Sequence, residues 1–119
     1  MLLDYGRHWD YAKGHVEKNE DDLAAARREL LEETGIAQTE IIDGFEHDIE
    51  YFFKSSRHGL IQKQVKFFIA QTNQKEVVLS EEHVGYDYLP YEKALERLTF
   101  PSAKEVLKSA EDFLCKREL

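Results

Sequence analysis

A single cysteine, Cys115, stands in the 119 residues, so a disulfide framework is excluded within one chain. No apolar run is long enough to span a membrane, and the stretch from Met1 lacks a signal-peptide pattern, so a reducing, cytoplasmic setting is expected. Repeats, low-complexity tracts and linkers are missing too, which argues for one domain over residues 1–119. Positive charge is scarce: 16 Lys and Arg face 24 Asp and Glu, for a net charge of -8. That balance argues against bulk electrostatic binding of nucleic acid, and any anionic substrate would need cations between it and the chain.

What is present suffices for a real core, with 42% hydrophobic and 12% aromatic residues. The segment from Gly14 to Ile36 carries the strongest local pattern. Asn19 is a plausible N-cap, Glu20, Asp21 and Asp22 suit the positive end of a helix, and Gly35 supplies a stop, predicting a helix over 20–34. On that helix Glu29, Glu32 and Glu33 fall at i, i+3 and i+4, beside an apolar stripe of Leu23, Ala26 and Leu30. Like charges so spaced repel by a few tenths of a kcal/mol per pair, so helix stability does not favour them. The acidic face is either a solvated surface or a hard-cation site for Mg²⁺ or Mn²⁺, to which the Gly14 carbonyl could add a ligand.

Elsewhere short strands alternate with helices. Strands are expected at 2–5, 8–11, 40–45 and 49–53, a polar loop at 54–59, the strongest strand at 64–71, and shorter ones at 77–79 and 86–89. Helices follow at 91–98 and 102–116, the latter opened by Pro101 and Ser102. A mixed sheet packed between helices is the expected α/β architecture.

The 14–36 segment resembles the Nudix box at every constrained position: Gly14, Glu20, Arg28, Glu29, Glu32, Glu33 and Gly35. Flanking matches extend the likeness over nearly the whole chain. They include Trp9, the run 13–17, Gly44-Phe45 leading to Tyr51, Lys63, the stretch Ser80 to His83, and Phe113-Leu114-Cys115. Together they resemble the asymmetric diadenosine tetraphosphate hydrolases of the Nudix superfamily. The resemblance implies a Nudix-type α/β/α sandwich and Mg²⁺-dependent (or Mn²⁺-dependent) cleavage of a nucleoside polyphosphate, with diadenosine tetraphosphate giving ATP and AMP. Another Nudix pyrophosphatase, acting on capped RNA, nucleotide sugars or nucleoside triphosphates, is the alternative, as is a nucleotide-binding module without turnover.

Carried over residue by residue, the likeness implies that Glu29, Glu32, Glu33 and the Gly14 carbonyl bind metal, joined by Glu82 from a later loop. Glu20 pairs with Arg28 as structural support, since a planar guanidinium can bridge carboxylates. Glu29, Glu33 and Glu82 are candidate bases. Tyr51 and Phe113 would sandwich adenine, Lys63 and Lys13 would contact phosphates, and His83 and His47 would donate hydrogen bonds to substrate. His8 and His58 have no assigned chemistry. Two departures stand out: only thirteen residues precede Gly14, so the first N-terminal strand of the family is expected to be missing, and Tyr11-Ala12 replaces a proline-containing pair. A missing strand would expose a sheet edge, through which a homodimer could form.

Overall fold

The computed structural model describes residues 1–13 and 19–117, with backbone alone at Tyr51, Phe53 and Lys63. In chain order the elements are β1 (Leu2–Asp4), β2 (Trp9–Asp10), α1 (Asp22–Thr34), β3 (Glu40–Ile41), β4 (His47–Ser55), β5 (Gly59–Phe67), β6 (Ala70–Gln71), β7 (Gly85–Asp87), α2 (Tyr91–Arg97) and α3 (Pro101–Arg117). The expected α/β content is there. Among the described residues the ladders form three antiparallel pieces, β2-β1-β7, β3-β6 and the β4-β5 hairpin. Between them lies a cavity of about 290 Å³, walled by Ala26 and Leu30 of α1, Phe67 to Ala70, and Val106 and Ala110 of α3. No described helix is long and apolar enough to cross a membrane.

The core gathers where β1 meets the last two helices. Leu2 and Leu98 are fully buried with Ala94 and Ala103, and Trp9, Tyr11, Leu89 and Leu107 pack around them. Alternation on so short a strand would bury one leucine, yet Leu3 is buried as well as Leu2, so β1 is covered on both of its faces. Polar bonds tie β2 and the residue after it to the C-terminal helix pair: Trp9 N–H donates to Thr99 Oγ1, between the helices, at 2.9 Å, and the Tyr11 hydroxyl donates to the Ala103 carbonyl of α3 at 2.7 Å. Arg97 sits over the Trp9 ring, 4.8 Å from its centroid.

Helix α1 begins two residues later than expected, and its N-cap is Asp21, not Asn19. Asp21 has extended backbone and its Oδ1 accepts from Ala24 N–H at 2.7 Å, whereas Asn19 lies at φ 68, turning the chain ahead of the helix. The stop is as expected: Gly35 at φ 72 donates to the Leu31 carbonyl at 2.8 Å. A Cβ there would also sit 3.3 Å from Val78 Cβ, so space and backbone both call for glycine.

The segment 77–79 is not a strand. Val78 N–H donates to the Thr34 carbonyl at 2.8 Å and Ser80 N–H to the Glu33 carbonyl at 3.1 Å. The last carbonyls of α1, which have no partner within the helix, therefore take the place of a ladder neighbour. In the hairpin both strands run closer to the turn than the expected 54–59 loop allowed, with Ser55 paired to Gly59. The expected 64–71 strand is divided, its first part inside β5 and its end forming β6 against β3.

The corrected cap can be checked by thermal or denaturant unfolding. Asp21→Ala is expected to destabilise the protein by about 1 kcal/mol. Asn19→Gly, which suits a positive φ, is expected to be close to neutral; a larger loss at Asn19 than at Asp21 would restore the original cap assignment.

Candidate functional site

The three helix glutamates do not share one environment, as a plain solvated face would require. The Glu32 side chain is 57% exposed and that of Glu29 17%, while Glu33 as a residue is only 6% exposed. The face therefore turns from solvent into the protein along one helical turn. The most buried α1 positions are Ala25, Glu33 and Thr34, not the apolar stripe Leu23, Ala26 and Leu30.

Arg28 organises the outer part. Its Nε donates to Glu20 Oε2 at 2.7 Å and Nη2 to Glu20 Oε1 at 3.0 Å, a two-pronged bond of the kind guanidinium geometry favours. Nη1 reaches Glu29 Oε1 at 2.8 Å and Glu32 Oε2 at 3.2 Å. Glu20 lies just before the cap, so the cation links the entry of the helix to two carboxylates on its face. The expected Glu20–Arg28 pairing is present in the geometry.

Glu33 forms the inner part. Its Oε2 accepts the Lys13 backbone N–H at 3.0 Å, and its Oε1 lies 3.8 Å from His83 Nε2. Its pKa is raised to about 7, by burial first and further by the charges of Glu29, Glu82 and Glu32, against the lowering effect of the Lys13 N–H. Tyr5 reports the same field. Burial raises its phenol first, followed by the charges of Glu33, Asp10, Glu82 and Glu29. Two unrelated side chains thus sense the Glu82 loop and the helix carboxylates together, which the bonds from Val78 and Ser80 to α1 explain.

The other residues singled out in the sequence divide into groups. The Lys13 side chain is engaged with Asp10, Nζ to Oδ2 at 2.8 Å, so its contribution to the acid cluster is its backbone N–H. His83 corrects its expectation as a substrate donor: its side chain is 0% exposed, enclosed by Tyr5 and the Ser80–His83 turn and facing Glu33. Phe113 is half-buried against Phe45, ring centroids 5.6 Å apart, and Phe45 stacks on His47 at 6.4 Å. Gly44, at φ 94, lets this group close, since a Cβ there would meet Phe113 Cζ at 3.3 Å. Tyr51 and Lys63 face each other as backbone partners across the hairpin. Gly14 lies outside the described residues.

Asp10 and Tyr5 were not singled out from the sequence, and Ser80 only as the start of a matching stretch with no role of its own. Asp10 is buried and accepts Tyr11 N–H at 2.8 Å besides its lysine. The Asp10-x-x-Lys13 and Ser80-x-x-His83 spacings were the available signals, both too common in loops to stand alone.

Among the described residues no three acidic, histidine or cysteine side chains are already gathered at metal-holding distance. Glu29 and Glu32 are turned onto Arg28 instead. The donor chemistry nevertheless fits a hard divalent cation: carboxylate oxygens around a buried acid whose proton affinity is raised first by burial and then by its acidic neighbours.

Comparison with known proteins gives a consistent picture. The NUDIX domain family model matches residues 3–110. The asymmetrical bis(5′-nucleosyl)-tetraphosphatase of Mus musculus is 37% identical over 112 residues, covering 91% of this chain and 73% of the relative. An RNA pyrophosphohydrolase of Caulobacter vibrioides is 34% identical over 91 residues, covering 67% of this chain and 52% of that protein. Among solved structures, a C. elegans Ap4A hydrolase binary complex superposes with TM-score 0.82 at 29% identity, over 97% of this chain and 85% of that one.

Glu33 also sets a pH dependence. Below pH 4.5, its ordinary value, folded and unfolded chains both keep the proton; as pH rises from there towards about 7 the unfolded chain ionises first, so stability falls across that window. In metal-free protein with chelator, the melting temperature should drop between those pH values and Glu33→Gln should flatten the drop. Equal slopes for the two proteins would remove the assignment.

Proposed function

This chain belongs to the Nudix family, and from that footing we propose that it hydrolyses a nucleoside polyphosphate, diadenosine tetraphosphate to ATP and AMP, with Mg²⁺ or Mn²⁺ as cofactor. The observation that carries the reading is the convergence of the helix glutamates and the Glu82 loop on the buried Glu33, in a chain similar over 91% of its length to an asymmetrical tetraphosphatase.

Glu29, Glu32, Glu33 and Glu82 would hold the cation, with Gly14 completing the set proposed from the motif. When bound, it would neutralise phosphate charge, lower the pKa of water and align the reacting oxygens. The chain's own residues supply the rest. Arg28 balances and orients Glu29 and Glu32, and Glu20 anchors Arg28. A carboxylate among Glu29, Glu33 and Glu82 accepts the proton of the attacking water. Water's oxygen then bonds to the phosphorus next to one adenosine, the bridging P–O bond breaks, and ATP leaves as AMP forms. We assign the adenine to Tyr51 and Phe113, where α3 packs near β4, and the phosphates to Lys63. His47, stacked on Phe45 beside Phe113, borders the same place.

RNA 5′ ends are the second reading, favoured by the Caulobacter pyrophosphohydrolase likeness. The net charge of -8 weighs against it, because a long polyanion would meet repulsion beyond the site.

Incubation with Mg²⁺ and diadenosine tetraphosphate in ¹⁸O-water should yield ATP and AMP, with the label in AMP. Two ADP molecules, no product, or faster turnover of triphosphorylated RNA in a parallel panel would overturn the assignment. Arg28→Lys keeps the charge but cannot bridge three carboxylates. It is expected to weaken the apparent Mg²⁺ affinity roughly tenfold to a hundredfold, read from activity titrations, with the fold intact by circular dichroism.

A further inference from the structure

We propose that His83 is a positioning residue for Glu33: the Ser80 hydroxyl holds its imidazole in the Nε2–H tautomer, and that N–H is aimed at Glu33 Oε1. The inference deepens the hydrolase reading and rests on it only for its kinetic consequence.

The starting point is a buried polar atom with no explanation in the fold. Among the described residues, His83 Nε2 is the one buried side-chain nitrogen or oxygen without a hydrogen-bond partner. Such an atom is costly unless something compensates it. What faces it is Glu33 Oε1 at 3.8 Å, beyond hydrogen-bond length but within reach of charge. The other ring nitrogen is engaged, Nδ1 lying 2.9 Å from Ser80 Oγ.

Neighbouring contacts leave the ring little freedom. His83 N–H donates to the Ser80 carbonyl at 3.2 Å, and Ser80 N–H donates to the Glu33 carbonyl at 3.1 Å. The Tyr5 ring meets the imidazole edge-on at 4.5 Å, itself fixed by its hydroxyl on the Tyr11 carbonyl and by stacking on His8. A closed circuit results, from the Glu33 backbone through Ser80 to His83 and back to the Glu33 carboxylate.

The tautomer follows from what each nitrogen faces. With Glu33 ionised, a proton on Nδ1 would leave the Nε2 lone pair pointing at a carboxylate oxygen inside the protein, setting two acceptors against each other. With the proton on Nε2, the serine hydroxyl donates to Nδ1 and the N–H dipole points at Oε1. Glu33 is then oriented from both sides, since Lys13 N–H already holds Oε2. A carboxylate so held presents one defined rotamer to its neighbours on α1, in the way outer partners orient metal-site and catalytic groups.

The test begins with ¹⁵N-labelled, metal-free protein, in which two-bond ¹⁵N–¹H correlations read the tautomer of each neutral histidine. His83 should show a protonated Nε2 and a bare Nδ1, and Ser80→Ala should shift it towards a mixture; a wild-type Nδ1–H form overturns the proposal. In steady-state kinetics on diadenosine tetraphosphate, His83→Leu should lower kcat roughly tenfold to a hundredfold with KM little changed. His83→Gln, which keeps an N–H donor, should recover most of it. Equal losses in both variants, or none in His83→Leu, would reduce His83 to a packing residue. If His83→Leu does not fold, the tautomer and the Ser80→Ala shift still decide. Absence of turnover in the wild type would strike the hydrolase reading and leave the tautomer result standing.

Discussion

Two backbone hydrogen bonds, from Val78 to Thr34 and from Ser80 to Glu33, join the end of α1 to the loop that carries Glu82 and His83. The meeting of the helix face with that loop depends on them. Glu29, Glu32 and Glu33 come from one helix and would meet only one another without that join; with it, a fourth carboxylate and a buried histidine are brought to the same place. The bonds form because a helix end has carbonyls to spare and because Gly35, lacking a Cβ, lets Val78 approach.

The site is built in two electrostatic zones, and the difference is one of solvent. On the outer side, Glu29 and Glu32 are met by Arg28, a weakly hydrated cation that can serve several carboxylates at once. On the inner side, Glu33 has a backbone N–H and a histidine ring in place of a cation, and burial is the first cause of its raised proton affinity. The helix thus holds negative charge at a place where its own stability gains nothing from it. A residue pattern that costs the fold and is nevertheless supported by further partners is the kind of local conflict expected at functional sites, which is in line with the proposed role.

Much of this was legible in the sequence, for reasons that differ by residue. The helix and its glycine stop follow from local spacing, and the structure has both; the Glu20–Arg28 ion pair, also present, was implied by the family resemblance rather than by spacing. The cap was misplaced because Asn19, Glu20, Asp21 and Asp22 offer several capping side chains in a row, and only backbone conformation decides among them. The segment 77–79 looked like a strand because β-branched residues suit an extended chain, but the partner it found was a helix end. Burial of Glu33 and His83 was beyond reach. Local pattern says which residues share a face, while only packing against Tyr5 and the 78–83 loop says that the face turns inward at Glu33.

That inward turn bears on why Arg28 is not a substitute for a divalent cation. Arg28 reaches Glu20, Glu29 and Glu32 from a position on the same helix, so its charge lies on the outer side of the cluster. Among the described residues Glu33 has no such bond; its partners there are the Lys13 N–H and the His83 ring. A cation arriving from solvent would therefore find the inner carboxylate uncompensated while the outer ones are already oriented. Arginine and metal would share the cluster without competing for its inner end, and the anion they jointly offset must come from outside a chain that already carries -8. The position of one guanidinium, set by the i, i+4 spacing of Arg28 and Glu32 and by the reach back to Glu20, thus leaves the inner carboxylate to a second cation, in keeping with the metal proposed for the site.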